Sequence, residues 1–203
     1  METKTFTSEK EIVGYSLGLN IATNLKHQGF DDISIEALQQ AIADVFTGQK
    51  PQIDPAQGGQ ILNDYFQKLQ QRKQSENIEE GKNFLKENAS KPDVITLPSG
   101  LQYKILVEGT GAKPKATDKV TTHYHGTLIN GTVFDSSVER GQPATFPVNG
   151  VIAGWVEALQ LMPVGSKWQL YVPSDLAYGT RGASELIGPN TTLIFDVELL
   201  SIN

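Results

Sequence analysis

His123 and His125 stand two apart in Lys119–Leu128, a segment that alternates polar and apolar residues. On a strand such residues share a face, so the two imidazoles could grip a metal ion. No third ligand is apparent and the chain has no cysteine. A solvated strand face is therefore the plainer reading, and no metal or other cofactor is expected. Asp135 follows Phe134 in a weakly polar segment, where a carboxylate serves either as a turn cap or as a functional group. Tyr178 lies in Asp175-Leu176-Ala177-Tyr178-Gly179, a loop, and loops carry much of the binding chemistry of proteins. Trp155 falls on the apolar side of a short helical stretch and reads first as core. The sequence holds no nucleophile elbow, P-loop, zinc or dinucleotide motif.

These residues need elements to position them. Val151 to Leu161 places Ile152, Trp155, Val156 and Leu159 at helical spacing, with Gly150 just before and Pro163 ending the helix. No other apolar helical stretch lies in the last hundred residues. Around it the period is two. Leu101 to Val107 alternates, as does Lys119 to Leu128, and Asn130-Gly131 is a strong hairpin signal before Val133-Phe134. Ser166 to Val172 sets Trp168, Leu170 and Val172 against Lys167, Gln169 and Tyr171. Leu193, Phe195, Val197 and Leu199 alternate with polar and apolar partners. Short strands, tight turns and one helix predict an antiparallel α+β domain with Trp155 facing the sheet.

The first half of the chain has a different grain. Ser8 and Glu11 form a capping-box pattern, followed by Ile12, Tyr15, Leu19 and Leu25 at helical spacing up to Gly29. Gly14 and Gly18 share a face and favour close helix packing. A second helix is expected from Ser34 to Phe46. Asp54-Pro55 opens a third that continues to about Ala89, about 54 Å at 1.5 Å per residue. Gln70 to Lys82 holds one large aliphatic residue, Ile78. A helix polar all round is either a connector through solvent or not a stable helix, so this stretch reads as a connector, with a disordered linker as the alternative. Lys91-Pro92-Asp93 closes it. The expected division is residues 1–53 helical, 54–92 connecting helix and 93–203 the α+β domain.

The 203 residues carry a net charge of −6, and neither half is basic, so nucleic-acid binding lacks its electrostatic footprint. No apolar run approaches membrane-spanning length. The first residues hold no apolar core of signal-peptide length. A cytoplasmic protein is the plain expectation, and a periplasmic or outer-membrane-associated one is the alternative if a signal segment has been removed.

Taken together, several runs resemble the FKBP-type peptidyl-prolyl isomerases. They are Val120-Thr121-Thr122-His123-Tyr124-His125-Gly126-Thr127-Leu128, Gly131-Thr132-Val133-Phe134-Asp135-Ser136-Ser137, Val151-Ile152-x-Gly154-Trp155, Pro173-x-x-Leu176-Ala177-Tyr178-Gly179, Ile187-Gly188-Pro189-Asn190-x-x-Leu193 and Phe195-Asp196-Val197-Glu198-Leu199. They occur in order across residues 98–203. The helical residues before them resemble the dimerisation domain of the macrophage infectivity potentiator (Mip) and FklB-like subgroup. The resemblance implies a curved antiparallel sheet wrapped around one helix, with an apolar pocket between them. Trp155 would be its floor. Tyr124, Phe134, Phe146, Val151, Ile152, Tyr178, Leu186, Ile187 and Phe195 would be its walls, and Asp135 and Arg140 its polar rim. Ala144 and Ala183 stand where members often carry larger side chains, which loosens the rim. The implied partners are proline-containing polypeptides, the family's macrolide inhibitors, and a second copy of the chain bound through the N-terminal helices.

Such a pocket needs no covalent step. The X–Pro bond isomerises over a barrier near 18–20 kcal/mol because resonance keeps the amide planar. The planar form is charge-separated and water stabilises its carbonyl oxygen. The twisted transition state is less polar, so a dry aromatic site favours it. Tyr178 OH and the Ile152 N–H would hold substrate carbonyls, and Asp135 would meet the twisted amide or orient the Tyr124 ring. A non-catalytic proline-peptide binding module or holdase chaperone is the rival reading of the same pocket.

Overall fold

The computed structural model describes residues 5–184 and 186–203. Three helices come first: α1 (Glu9–His27), α2 (Ile35–Thr47) and α3 (Pro55–Asn88). The capping box forms as expected, with the Ser8 side chain accepting from the Glu11 N–H while the Glu11 carboxylate caps the Ser8 backbone. Gly48 ends α2 in the left-handed conformation at φ 69°, which glycine adopts without a Cβ penalty.

The rest is β1 (Ile95–Thr96), β2 (Gln102–Val107), β3 (Lys119–Leu128), β4 (Val133–Ser136), β5 (Ala144–Pro147), helix α4 (Ala153–Leu159), β6 (Lys167–Val172) and β7 (Leu193–Ile202). The strands form one antiparallel sheet in the order β1-β2-β6-β7-β3-β4, with β5 also pairing β3. β3 is the hub. It pairs with β7 along its length, with β5 through Lys119–Thr122 and with β4 through His125–Thr127. α4 lies against the concave face, burying Trp155, Ala158 and Leu159 among Leu101, Val120, Leu170, Val172, Leu193, Val197 and Leu199.

The regular helix α4 is shorter than the expected Val151–Leu161. Val151 and Ile152 are extended, at φ −111°, ψ 178° and φ −59°, ψ 149°. Their apolar spacing matches a helix, yet they serve as wall rather than as helix.

The chain divides into two compact units between Leu69 and Gln70, inside α3. The physical reason is the side of α3 that the sequence makes look solvated. Gly81 and Asn88 are buried. Phe84 packs on Tyr171 at 5.9 Å between ring centroids. Asn88 Nδ2 donates to Gln102 Oε1 at 2.9 Å, and Gln102 Nε2 donates to the Leu85 carbonyl at 2.8 Å. The second half of α3 thus belongs to the sheet's outer face, and Gln70–Lys82 is not a stretch free of the α+β unit throughout. Covering that face also buries Tyr171, whose hydroxyl donates to Gln169 Oε1 at 2.6 Å.

The first unit has almost no interior. Among its described residues only Phe30 is buried, held by Tyr65 and Phe66 at 5.4 and 4.9 Å. Ile12, Leu19 and Ile42 are exposed, and Phe46 is 86% exposed.

Candidate functional site

One cavity of about 600 Å³ opens between α4, the concave face of the sheet and the loop before β7. Trp155, only 5% exposed, forms its floor. Three rings stand edge-on around the indole: Tyr124 from β3 at 5.5 Å, Phe146 from β5 at 5.5 Å and Phe195 from β7 at 5.2 Å. Phe134 from β4 meets Phe195 at 5.4 Å in the same manner. Edge-to-face pairs match the positive ring edge to the negative face and add to area burial. The cage therefore stands rigid without filling its centre.

A single glycine permits this crowding. A Cβ on Gly126 would lie 2.6 Å from the Phe134 ring and 3.1 Å from Phe195. Any side chain there would displace one wall.

The rim is polar on one side. The Tyr124 hydroxyl donates to Asp135 Oδ2, and Arg140 Nη1 donates to Asp135 Oδ1. Arg140 Nη2 also donates to the Tyr124 oxygen at 2.9 Å. Burial pushes the Asp135 carboxyl up, but the hydrogen bonds from Tyr124 and Arg140 outweigh it and hold the group below the ordinary carboxylate value. Burial, then the bond to Asp135, pushes the Tyr124 phenol up. At neutral pH the rim is therefore a carboxylate, a guanidinium and a neutral phenol. It can fix a ring and orient a dipole, but it offers no proton donor poised for transfer.

The chain after β4 is pinned to β3, which fixes this triangle. Ser137 Oγ accepts from the Tyr124 N–H at 2.7 Å, and the Ser137 N–H donates to the Tyr124 carbonyl at 3.0 Å. His123 and His125 serve the same joint from the other face of β3. Their Nδ1 atoms lie 3.1 Å from Ser137 Oγ and 2.9 Å from Ser136 Oγ. Among the described residues no group of three His, Asp or Glu side chains is placed to hold a metal ion.

Of the expected site residues, Tyr124, Phe134, Asp135, Phe146, Val151, Ile152, Trp155, Tyr178, Ile187 and Phe195 line this one cavity. Arg140 reaches it through Asp135 and Tyr124. Leu186 does not line it. Leu186 is 50% exposed and borders a separate depression beside α3, with Asn77 and Pro189. Ile187, 6% exposed, lines the pocket, and Leu186 lies on the other depression. Of the two loosened rim positions, Ala183 lines the cavity and Ala144 does not. Gly150 and Ser184 line it without having been singled out. The Ser184 Oγ accepts from the Ile187 N–H at 3.2 Å, a contact that nothing in the residue pattern marks.

A curved antiparallel sheet clasping one helix over an aromatic cavity defines a class, the FKBP-type prolyl isomerases. Residues 110–200 match the family described as "FKBP-type peptidyl-prolyl cis-trans isomerase", and residues 10–105 match "Domain amino terminal to FKBP-type peptidyl-prolyl isomerase". The FKBP-type 22 kDa peptidyl-prolyl cis-trans isomerase of Escherichia coli (strain K12) is 45% identical over 205 residues, covering all of both chains. Outer membrane protein MIP of Legionella longbeachae is 46% identical, covering 98% of this chain and 88% of that one. The crystal structure of FkpA from Escherichia coli superposes with a TM-score of 0.78 at 32% identity, covering 98% and 99% of the two chains. The chain belongs to the FKBP-type peptidyl-prolyl cis-trans isomerase family, with that family's amino-terminal domain, and it is an isomerase of that type.

Proposed function

We propose that the chain isomerises X–Pro bonds of folding polypeptides in the Trp155 cavity, with the proline ring over the indole. The observation that carries this reading is the cage of four edge-on rings around an unfilled centre, with one ionised carboxylate at its rim. Transfer from water into such a site costs the charge-separated planar amide more than the twisted one, and proline's small trans preference lets either isomer enter. Tyr178, 41% exposed at the mouth, is the donor for one substrate carbonyl, and the Ile152 N–H for another. Asp135 acts mainly by holding the Tyr124 ring edge-on to the floor, which its hydrogen bond supports. Each tenfold in rate needs about 1.4 kcal/mol of differential stabilisation, so desolvation and two or three hydrogen bonds suffice for a modest enzyme. Macrolide inhibitors of the family occupy the same cavity.

The N-terminal helices pair two copies of the chain. The support is physical: a unit with one buried residue among those described cannot hold itself together by its own core. The groove of Gly14, Tyr15, Gly18, Leu19 and Ala22 on α1 offers the surface, with nothing but the adjoining residues and backbone of the helix itself within 4 Å of a Cβ placed at either glycine. Two linked pockets raise the effective concentration of site around one bound chain, which gives chaperone-like holding. Among the described residues no helix is long and apolar enough to cross a membrane. The name of the Legionella longbeachae relative, Outer membrane protein MIP, supports the envelope-associated alternative over the cytoplasmic expectation.

The test is a chromogenic proline-peptide isomerase assay, with and without a macrolide of the rapamycin type. Macrolide-sensitive acceleration is expected. Tight macrolide binding with no acceleration would establish the rival, a non-catalytic binding module.

A further inference from the structure

The wall carrying Ala183, Ser184 and Ile187 belongs to no strand. It is a loop, and it is braced from two sides. Inside the loop, the Ala183 N–H donates to the Ile187 carbonyl at 2.9 Å and the Asn190 N–H to the Gly179 carbonyl at 2.8 Å. Outside it, the brace is α3. Asn77 Nδ2 donates to the Pro189 carbonyl at 2.8 Å and lies 3.4 Å from Thr191 Oγ1, which in turn donates to the Gly188 carbonyl at 2.8 Å. Proline has no N–H, so a strand ladder cannot pin this stretch from both edges. A side-chain amide is the available clamp.

Gly81 seats that clamp. Asn77 and Gly81 are four apart and share one helix face. A Cβ on Gly81 would lie 2.5 Å from Thr192 Oγ1, so only glycine lets the helix come close enough for the Asn77 amide to reach Pro189. Both residues sit in the stretch whose composition reads as a solvated connector.

We propose that Asn77, seated by Gly81, is a positioning residue for the prolyl pocket: it touches no substrate and sets the place of the Ile187 wall two residues from Pro189. This rests on reading the Trp155 cavity as the isomerase site. Releasing the clamp loosens one wall of the cage and leaves Trp155, Tyr124 and Asp135 untouched. Substrate and transition state are then both held less well, so KM rises while kcat is kept.

The experiment is steady-state kinetics of the full chain on a short chromogenic peptide with one X–Pro bond. Asn77→Asp keeps the shape of the side chain and removes the donor. It and Asn77→Ala are expected to raise KM roughly three- to tenfold, the scale of one lost hydrogen bond, with kcat within about twofold. Asn77→Gln, which restores a donor, is expected to recover part of the loss. A second route is independent of Asn77. Gly81→Ala is expected to raise KM in the same way, and Thr192→Ala in the same chain to reverse it by removing the hydroxyl that the new methyl meets. If the Asn77 variants fail to fold, the Gly81 and Thr192 pair decides. Unchanged KM in Asn77→Asp and Gly81→Ala, or a fall in kcat at constant KM, would overturn the clamp while leaving the isomerase reading intact. An inactive wild-type chain would overturn both.

Discussion

The Tyr124 hydroxyl, on β3, donates a hydrogen bond to Asp135 Oδ2, on β4, across the mouth of the cavity. Gly126 and Asp135 are paired in the β3–β4 ladder, so the pairing that places the carboxylate also places the glycine that makes room for Phe134. Ring, carboxylate and wall are thus set by one pair of strands.

Replacing Asp135 with Leu removes the partner of both Tyr124 and Arg140 at a half-exposed site. Isomerase activity is expected to fall more than thermal stability does. Tyr178→Phe is expected to weaken macrolide or peptide binding by about 0.5–1.5 kcal/mol, one hydrogen bond's worth. Calorimetry together with the peptide assay checks both. Unaltered turnover in both variants would remove these residues from the mechanism.

The Asp135 carboxyl titrates below its ordinary value of 3.8 because Tyr124 and Arg140 stabilise its charged form. A depressed carboxylate contributes stability that is present above the unfolded value and is lost as pH falls through the folded one. The melting temperature of wild type relative to Asp135→Asn is therefore expected to be constant from neutral pH to about pH 5. It should shrink as pH falls below about 4. A difference that instead grows on acidification would show that Asp135 is held protonated.

Gly126→Ala places a methyl group inside the van der Waals radius of the Phe134 ring. Overpacking of a tight site costs about 1–3 kcal/mol, and here it displaces a pocket wall as well. Both the denaturation midpoint and macrolide affinity are expected to drop. Retained affinity would mean that Phe134 is not part of the binding wall.

Deleting α3 exposes what it covers. A fragment starting at Gln70 is expected to be a folded monomer active on short peptides. One starting at Asp93 leaves Gln102, Tyr171 and Thr192 without Asn88, Phe84 and Gly81, and is expected to melt at a lower temperature. The full chain is expected to be a homodimer by light scattering at micromolar concentration. It is also expected to outperform the Gln70 fragment on a proline-limited refolding protein more than on a peptide. Equal performance on the two substrates would give the N-terminal unit some role other than holding substrate.

Adding a chelator is expected to leave activity unchanged, because no step proposed here uses a metal. A loss restored by zinc would reopen His123 and His125 as ligands.

Much of this was legible in the residues alone. Periodicity, caps and turn glycines are local properties, and they placed α1, α2, α3 and the long strands within a residue or two. The ordered runs around Tyr124, Asp135, Trp155, Tyr178 and Phe195 carried the resemblance that brought scattered aromatics into one cavity. Tertiary structure decided the rest. It made Val151 and Ile152 wall instead of helix, because extended backbone there lines the cavity. It set Leu186 beside α3, on a separate depression with Asn77 and Pro189, while Ile187 lines the pocket. Above all it decided the fate of α3. Hydropathy counts Asn77, Gly81 and Asn88 as solvent-facing, since an amide or a missing side chain offers no apolar area. Packing them against the α+β unit is worthwhile only when a Pro189 carbonyl, a Thr192 hydroxyl and a Gln102 amide stand opposite, and those partners lie 112, 111 and 14 residues further along the chain.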